Sequence, residues 1–314
     1  MVVGFYYILS ILYWAFLYLP LPLAMQPIIT LVDYSPRWLV FLPCILLFLP
    51  WFRPKHWLIL LMISVLNVVL VLDLHLNVWQ KQPAERTLYR FATFNAGSGM
   101  AKPADILRWY QQEQLDALLL QESSPGTLRQ HLPDGLYLDC HGQLCLLTQH
   151  QLVAVRQLDR RPLDGYGYYA THYELAVAGT TFQVVNLHLN TPRHGIDLLA
   201  APRSNYQRFI RFHRDKSIES MIASQLVQED TRKVIIGGDF NLTQQSRIYR
   251  EHWKHWPNSF RLAGIGLGHT KYSRFLRARI DHLLVSDDLA VISSQTHPAM
   301  GSDHKPLIVE IAIK

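Results

Sequence analysis

Hydrophobic positions are distributed along this chain in two ways. In residues 2–19, 38–52 and 57–74 nearly every position is apolar or aromatic, and no polar face remains for water. A helix that is apolar all round needs an apolar surrounding on every side. Three such runs, with aromatic residues at their ends, predict three membrane-spanning helices. Pro43 interrupts the second run, which membrane helices tolerate when neighbours satisfy the freed carbonyl. The first run lacks a basic start and a small-residue cleavage site, so it reads as an anchor rather than a signal peptide.

From residue 88 the pattern becomes short apolar runs separated by turn signals. It predicts strands at 88–95, 115–121, 136–139, 144–148, 152–158, 168–178, 182–190, 234–236, 280–285, 290–295 and 307–313. Helices are predicted at 103–114, with Pro103 in the first turn, and at 202–228. The outer face of the second carries Arg203, Arg208, Arg211 and Arg214. Many strands interleaved with few helices predict an α/β sandwich built on large sheets. The implied organisation is an anchor over 1–76, a linker over 77–87 and a folded domain over 88–314.

Charge adds a direction. The 314 residues carry a formal net charge of +6, with many basic residues between Arg193 and Arg279. That suits an anionic substrate or an anionic membrane surface, and falls short of a dedicated nucleic-acid binder. Arg53, Lys55 and His56 lie between the second and third apolar runs. The positive-inside tendency makes that connection cytoplasmic and places the domain outside. The expectation is an integral protein of the inner or plasma membrane with its domain facing the periplasm; Lys81, Arg86 and Arg90 argue for the reverse. Cys140 and Cys145 lie between two strand-like runs and are either a hairpin disulfide or two free thiols. With no CxxC spacing, a zinc–thiolate site is not expected.

Apolar strands in this chain repeatedly end in polar residues. Asn95 ends one, Glu122 follows another, and His188 lies near the end of a third. Residues 233–242, Lys-Val-Ile-Ile-Gly-Gly-Asp-Phe-Asn-Leu, place Asp239 and Asn241 at a strand end, on one side of an extended chain. Asp281 and His282 open the next strand, and Asp303 and His304 immediately precede the last. Any one of these has a bland explanation, such as an Asx turn or a helix-start carboxylate. Active sites in sheet proteins are assembled where strand ends meet loops, and six such convergences point to one. A glutamate among oxygen donors suits Mg²⁺ or Mn²⁺ bridging to a phosphate.

In this order, Phe94-Asn95, Gln121-Glu122, Asn186-Leu-His188, Gly238-Asp-Phe-Asn241, Arg279-Ile-Asp-His282 and Ser302-Asp-His304 resemble the motifs of the endonuclease/exonuclease/phosphatase superfamily. The resemblance covers roughly 90–313. It implies a four-layer α/β sandwich, two packed β-sheets with helices outside. It implies Glu122 as principal ligand of one divalent ion, with Asn95 and Asp303 close to it. Asp239 would orient or deprotonate the attacking water, and Asn241 and His188 would hold the scissile phosphate. His304 would contact or protonate a phosphate oxygen, with Asp281 orienting it from behind. Many members carry a second Asn or Asp where this chain has Gly97, which puts a second metal in doubt. Arg193 and His194 are extra cationic candidates for substrate binding.

The expected function is therefore a membrane-anchored, metal-dependent phosphodiesterase or nuclease acting by in-line attack of water. The alternative is a lipid or inositol-phosphate phosphoesterase working on headgroups. Arg247, Arg250, Trp253, Lys254 and Trp256 could line a nucleic-acid groove. A non-catalytic binding module would be expected to lose Glu122, Asp239 or His304, and all are present. No obligate protein partner is evident.

Overall fold

The structure, a computed structural model, describes residues 2–19, 22, 25–35, 37–41, 54–77, 87–191, 206–228, 231–273 and 277–314. Three helices come first: α1 (Val2–Tyr18), α2 (Gln26–Asp33) and α3 (Pro54–Leu70). Strands and helices then alternate through β1 (His75–Leu76), β2 (Tyr89–Asn95), α4 (Pro103–Gln112), β3 (Ala117–Gln121), α5 (Pro125–Gln130), β4 (Tyr137–His141) and β5 (Leu144–Thr148). The middle of the chain supplies β6 (Gln151–Asp159), β7 (Tyr168–Val177), β8 (Thr180–His188), α6 (Tyr206–Ser224) and β9 (Val234–Asp239). The last part supplies α7 (Arg247–His252), α8 (Ser259–Ala263), β10 (Ile265–Gly266), β11 (Lys271–Tyr272), β12 (Arg277–Ala278), β13 (Asp281–Val285), β14 (Leu289–Thr296) and β15 (Leu307–Ile313).

Two sheets dominate. One has the order β14-β15-β2-β3-β5-β4 and the other β13-β9-β8-β7-β6. Within them β2–β3 and β8–β9 are parallel and the remaining pairs antiparallel. The period-two alternation of side chains sorts residues between faces. Phe91, Leu119, Leu146 and Val309 of the first sheet meet Tyr173, Val184, Ile235 and Leu283 of the second in one core. Their neighbours Ala92, Leu118, Leu120 and Leu147 point outward onto Ile106, Trp109, Tyr110 and Leu128 of α4 and α5. On the far side, Val185, Leu187, Val234 and Ile236 pack on Ala223, Ile248, Tyr249 and Trp253. The result is helices, sheet, sheet, helices, as the sequence pattern and the resemblance predict. Cys140 and Cys145, paired across the β4–β5 hairpin, form a disulfide.

Among the described residues the expected membrane anchor is not found. No described helix is long and apolar enough to cross a membrane, which overturns the expected integral membrane localisation and outward-facing topology. Helices α1 and α3 each have 17 residues. At 1.5 Å per residue each spans about 26 Å, short of the roughly 30 Å hydrocarbon layer. The third apolar run extends to residue 74, but its helix stops at Leu70, and Asp73 beyond it turns to pair with Arg279. The second run, 38–52, lies mostly outside the described residues. Between the first two runs an amphipathic helix, α2, was not anticipated. A polar group holds the helices together: buried Asn67 donates to Tyr6 and Ser10 and accepts from Trp14 Nε1 at 2.9 Å. They also dock on the domain: the Tyr34 hydroxyl, just beyond α2, donates to the Asn241 carbonyl, which also accepts from the Lys216 ammonium of α6. The expected linker starts pinned: β1 pairs with β10, and the Asn77 amide donates to Arg261 and Gly264 carbonyls.

Gly238 of β9 lies directly beside Leu187 of β8. Its φ is +146°, and an added Cβ would lie 2.0 Å from the Leu187 carbonyl oxygen. That oxygen is backbone and cannot step aside. Gly238→Ala is expected to destabilise the fold by about 2–5 kcal/mol, from overpacking plus strained backbone. Gly126, with nothing within 4 Å of the same imaginary atom, is the control. Urea midpoints of the two alanine variants check this; equal midpoints would remove the steric argument.

Candidate active site

The site forms where β2, β3, β8 and β9 end together. Register places Asn95 beside Gln121 in one sheet and His188 beside Asp239 in the other. Glu122 lies one residue beyond β3 in a left-handed conformation, φ 47°, held by Ser98 N–H donating to its carbonyl at 2.8 Å. Asn241 is left-handed too, φ 49°, and its N–H donates to Asp239 Oδ1 at 2.8 Å. Left-handed backbone outside glycine costs on the order of 1 kcal/mol or more and concentrates at functional sites. The Asx turn and the site geometry are therefore one arrangement.

The central contact is an amide between two carboxylates. Asn95 Nδ2 donates to Glu122 Oε1 at 3.0 Å and to Asp239 Oδ2 at 2.9 Å. Its Oδ1 accepts from Gly97 N–H at 2.9 Å, which fixes the orientation of the amide. Ser98 Oγ donates to Glu122 Oε2 at 2.9 Å. His188 Nε2 lies 3.5 Å from Glu122 and 3.9 Å from Asp239. Ligand atoms of Glu122, His188 and Asp239 all lie within 4.8 Å of one another. Two carboxylates gathered around a neutral amide leave negative charge only partly offset, and hard oxygen donors of this kind fit Mg²⁺ or Mn²⁺. The Asn95 oxygen is turned to Gly97, and its amide nitrogen faces both carboxylates.

Behind this lies an imidazole–carboxylate pair. His304 Nδ1 is 2.9 Å from Asp281 Oδ2, and its Nε2 is 3.7 Å from Asp239 Oδ2. Asp281 is completely buried and His304 nearly so. Burial pulls the His304 pKa down, but the charges of Asp281 and Asp239 outweigh it and raise the pKa to about 9. Burial and the Asp281 carboxylate push the Asp239 carboxyl above its ordinary value, against the pull of His304, His188 and Asn95. A raised carboxyl pKa makes a better proton acceptor. Burial raises Glu122 as well, but the Asn95 hydrogen bond and His188 win, and its carboxyl is held below the usual range. The His188 imidazole is lowered, chiefly by burial.

Glu122, His188, Asp239 and His304 line one cavity of about 220 Å³, with Asn241, Lys271 and Asp303 on its wall and Asn95 and Asp281 behind it. Asn241 Nδ2 donates to the Leu189 carbonyl at 2.9 Å, which fixes its side chain at the wall. Asn186 of the Asn-Leu-His motif does not reach the cavity. Its buried amide joins the sheets, accepting from Gln121 Nε2 at 2.7 Å and donating to the carbonyls of Leu120 and Cys145.

Of the residues singled out in the sequence, Asn95, Glu122, His188, Asp239, Asn241, Asp281 and His304 come together. Asp303 lies in the cavity but bonds to Lys271 at 2.5 Å, and belongs to neither group of converging ligand atoms among the described residues. Arg279 turns away to Asp73. Arg193 and His194 lie outside the described residues. The imagined aromatic groove is corrected: Trp253 and Trp256 are buried in the second sheet's outer core and present no stacking face. Lys271 and Ser98 were not anticipated, and neither carries a motif that would have marked it.

A sequence model described as the Endonuclease/Exonuclease/phosphatase family matches residues 92–304. No curated protein matches the sequence. Among solved structures, an endonuclease/exonuclease/phosphatase from Bacteroides vulgatus is 17% identical with a TM-score of 0.54, covering 73% of this chain and 100% of that one. The AP endonuclease LMAP from Leishmania major is 16% identical, TM-score 0.52, covering 77% and 94%. D. rerio TDP2, complexed with single-strand DNA product, is 11% identical, TM-score 0.53, covering 72% and 99%. At these identities the structures establish a shared fold.

Because the His304 pKa is raised, its charged form persists below about pH 9 and is lost as pH rises through that value. Asp281→Asn removes the nearest anion. The His304 titration midpoint, followed by NMR in the metal-free protein, is expected to fall by about 1–3 units. An unchanged midpoint would refute the pairing as its cause.

Proposed function

The chain belongs to the endonuclease/exonuclease/phosphatase family and is a metal-dependent phosphoesterase, and we propose that it hydrolyses phosphodiesters by attack of water at phosphorus. The observation that carries this reading is the convergence of Glu122, His188 and Asp239 from both sheets around the Asn95 amide. Glu122, with Asp239 beside it, would hold one Mg²⁺ or Mn²⁺. A divalent cation there polarises a phosphoryl oxygen and offsets charge on the leaving oxygen.

The chain's own residues do the rest. Asp239, with its raised pKa and its position fixed by Asn95 and Asn241, orients the water and accepts its proton. The water oxygen–phosphorus bond forms as the phosphorus–leaving oxygen bond breaks. His304, held by Asp281, donates to a phosphoryl oxygen, and Asn241 and His188 line the cavity that holds the phosphate. Most of the acceleration in such a site comes from positioning and fixed electrostatics.

Nucleic acid is the proposed substrate class. The likeness to a fold-mate solved with single-strand DNA product and the net positive charge support it.

Phosphodiester hydrolysis by the full chain is expected to require Mg²⁺ or Mn²⁺ and to vanish with a chelator. Glu122→Gln should lower kcat/KM about 100-fold or more. An oligonucleotide and bis(4-nitrophenyl) phosphate are suitable substrates. Equal rates for the two proteins, or full activity in chelator, would sink the assignment.

A further inference from the structure

Lys271 is a cation that the mechanism above leaves unused. It reaches the cavity from β11, not from either large sheet. Its position is set by backbone bonds on both sides. Tyr272 N–H donates to the Asp303 carbonyl at 2.8 Å, and Lys305 N–H donates to the Thr270 carbonyl at 2.6 Å. Lys271 and His304 are therefore bridged across an antiparallel step. The side chain is only 16% exposed. Its ammonium lies 2.5 Å from Asp303 Oδ2 and 3.0 Å from His304 Nε2, the nitrogen that is 3.7 Å from Asp239. Holding a lysine still costs side-chain entropy of up to about 2 kcal/mol, which a purely solvated lysine would not surrender.

Three observations give this ammonium a role. Position 97 is glycine and offers no side chain for a second ion. The Asp303 carboxylate is taken by Lys271 and lies outside the convergent ligand groups among the described residues. The cavity nonetheless gathers the carboxylates of Asp303, Asp239 and Glu122, which offset the repulsion between this ammonium and the His304 imidazole 3.0 Å away. Resting on the phosphodiesterase reading, we propose that Lys271 is a built-in second cation: it occupies Asp303, keeps a second metal ion out, and holds a phosphoryl oxygen opposite the ion at Glu122. The lysine is then a substrate-touching residue, and Asp303 is its positioning partner rather than a metal ligand.

The test uses the full chain and Mn²⁺ alone as the binding probe, followed by calorimetry. The unmodified protein is expected to bind one Mn²⁺. Lys271→Met removes the ammonium from Asp303 without changing side-chain length greatly. It should lower kcat/KM on bis(4-nitrophenyl) phosphate by 100-fold or more and either add a second Mn²⁺ or tighten Mn²⁺ binding by tenfold or more. Lys271→Arg should keep one Mn²⁺ and recover part of the rate. A rate loss with an unchanged Mn²⁺ isotherm would overturn the second-cation role, as would a kcat/KM within threefold of the unmodified protein. If Lys271→Met does not fold, Asp303→Asn answers instead: Mn²⁺ affinity should stay within threefold, and a tenfold loss would make Asp303 a ligand and overturn the proposal. Failure of the unmodified protein to cleave any phosphodiester would strike the functional reading, while the isotherms would still decide the lysine's part.

Discussion

Two carboxylates from different sheets face each other through one amide, and the rest of the molecule is arranged so that this is possible. Glu122 leaves the end of β3 and Asp239 ends β9. Brought this close in a low-dielectric setting they repel, and the Asn95 amide, with His188 beside it, offsets part of that repulsion. Holding them needs the sheets locked in relative position. Asn186 does this with three buried hydrogen bonds from the second sheet to the first. The close approach at Gly238 brings β8 and β9 together so that His188 and Asp239 fall side by side.

The same burial that makes the pair expensive makes it chemically useful. A buried Asp239 beside Asp281 is a better base than a surface aspartate. His304 is kept charged by those same carboxylates, so acid and base stand next to each other with their pKa values pushed in the useful directions. Left-handed backbone at Glu122 and Asn241 is the accompanying strain, and local hydrogen bonds hold it.

Much of this was legible in the residues. The strand periods predicted the strands of both sheets to within a few positions, because a half-buried or buried strand carries its own signature, but not which sheet each joins. Asn95, Glu122, His188, Asp239, Asn241, Asp281 and His304 were visible as polar residues closing apolar runs. Asp303 was visible too, but its partner was not. Lys271 meets it through a bridge between segments more than thirty residues apart, and no local pattern encodes that. Asn186 read as part of a motif and proved to be a tie between sheets. The amino-terminal error has a different origin. Apolar content over a window does not fix helix ends, and α1 and α3 stop at Tyr18 and Leu70. Asn67, buried against Tyr6, Ser10 and Trp14, shows a polar contact inside what looked like a uniform apolar run.

The account turns on the proposal that Glu122, with Asp239 beside it, holds one cation. Anomalous diffraction from crystals of the full chain soaked in Mn²⁺ locates the ion directly. A single peak beside the Glu122 carboxylate, with Asp239 and His188 next to it, is the predicted result. A peak on Asp303 instead, or none at saturating Mn²⁺, would contradict the account.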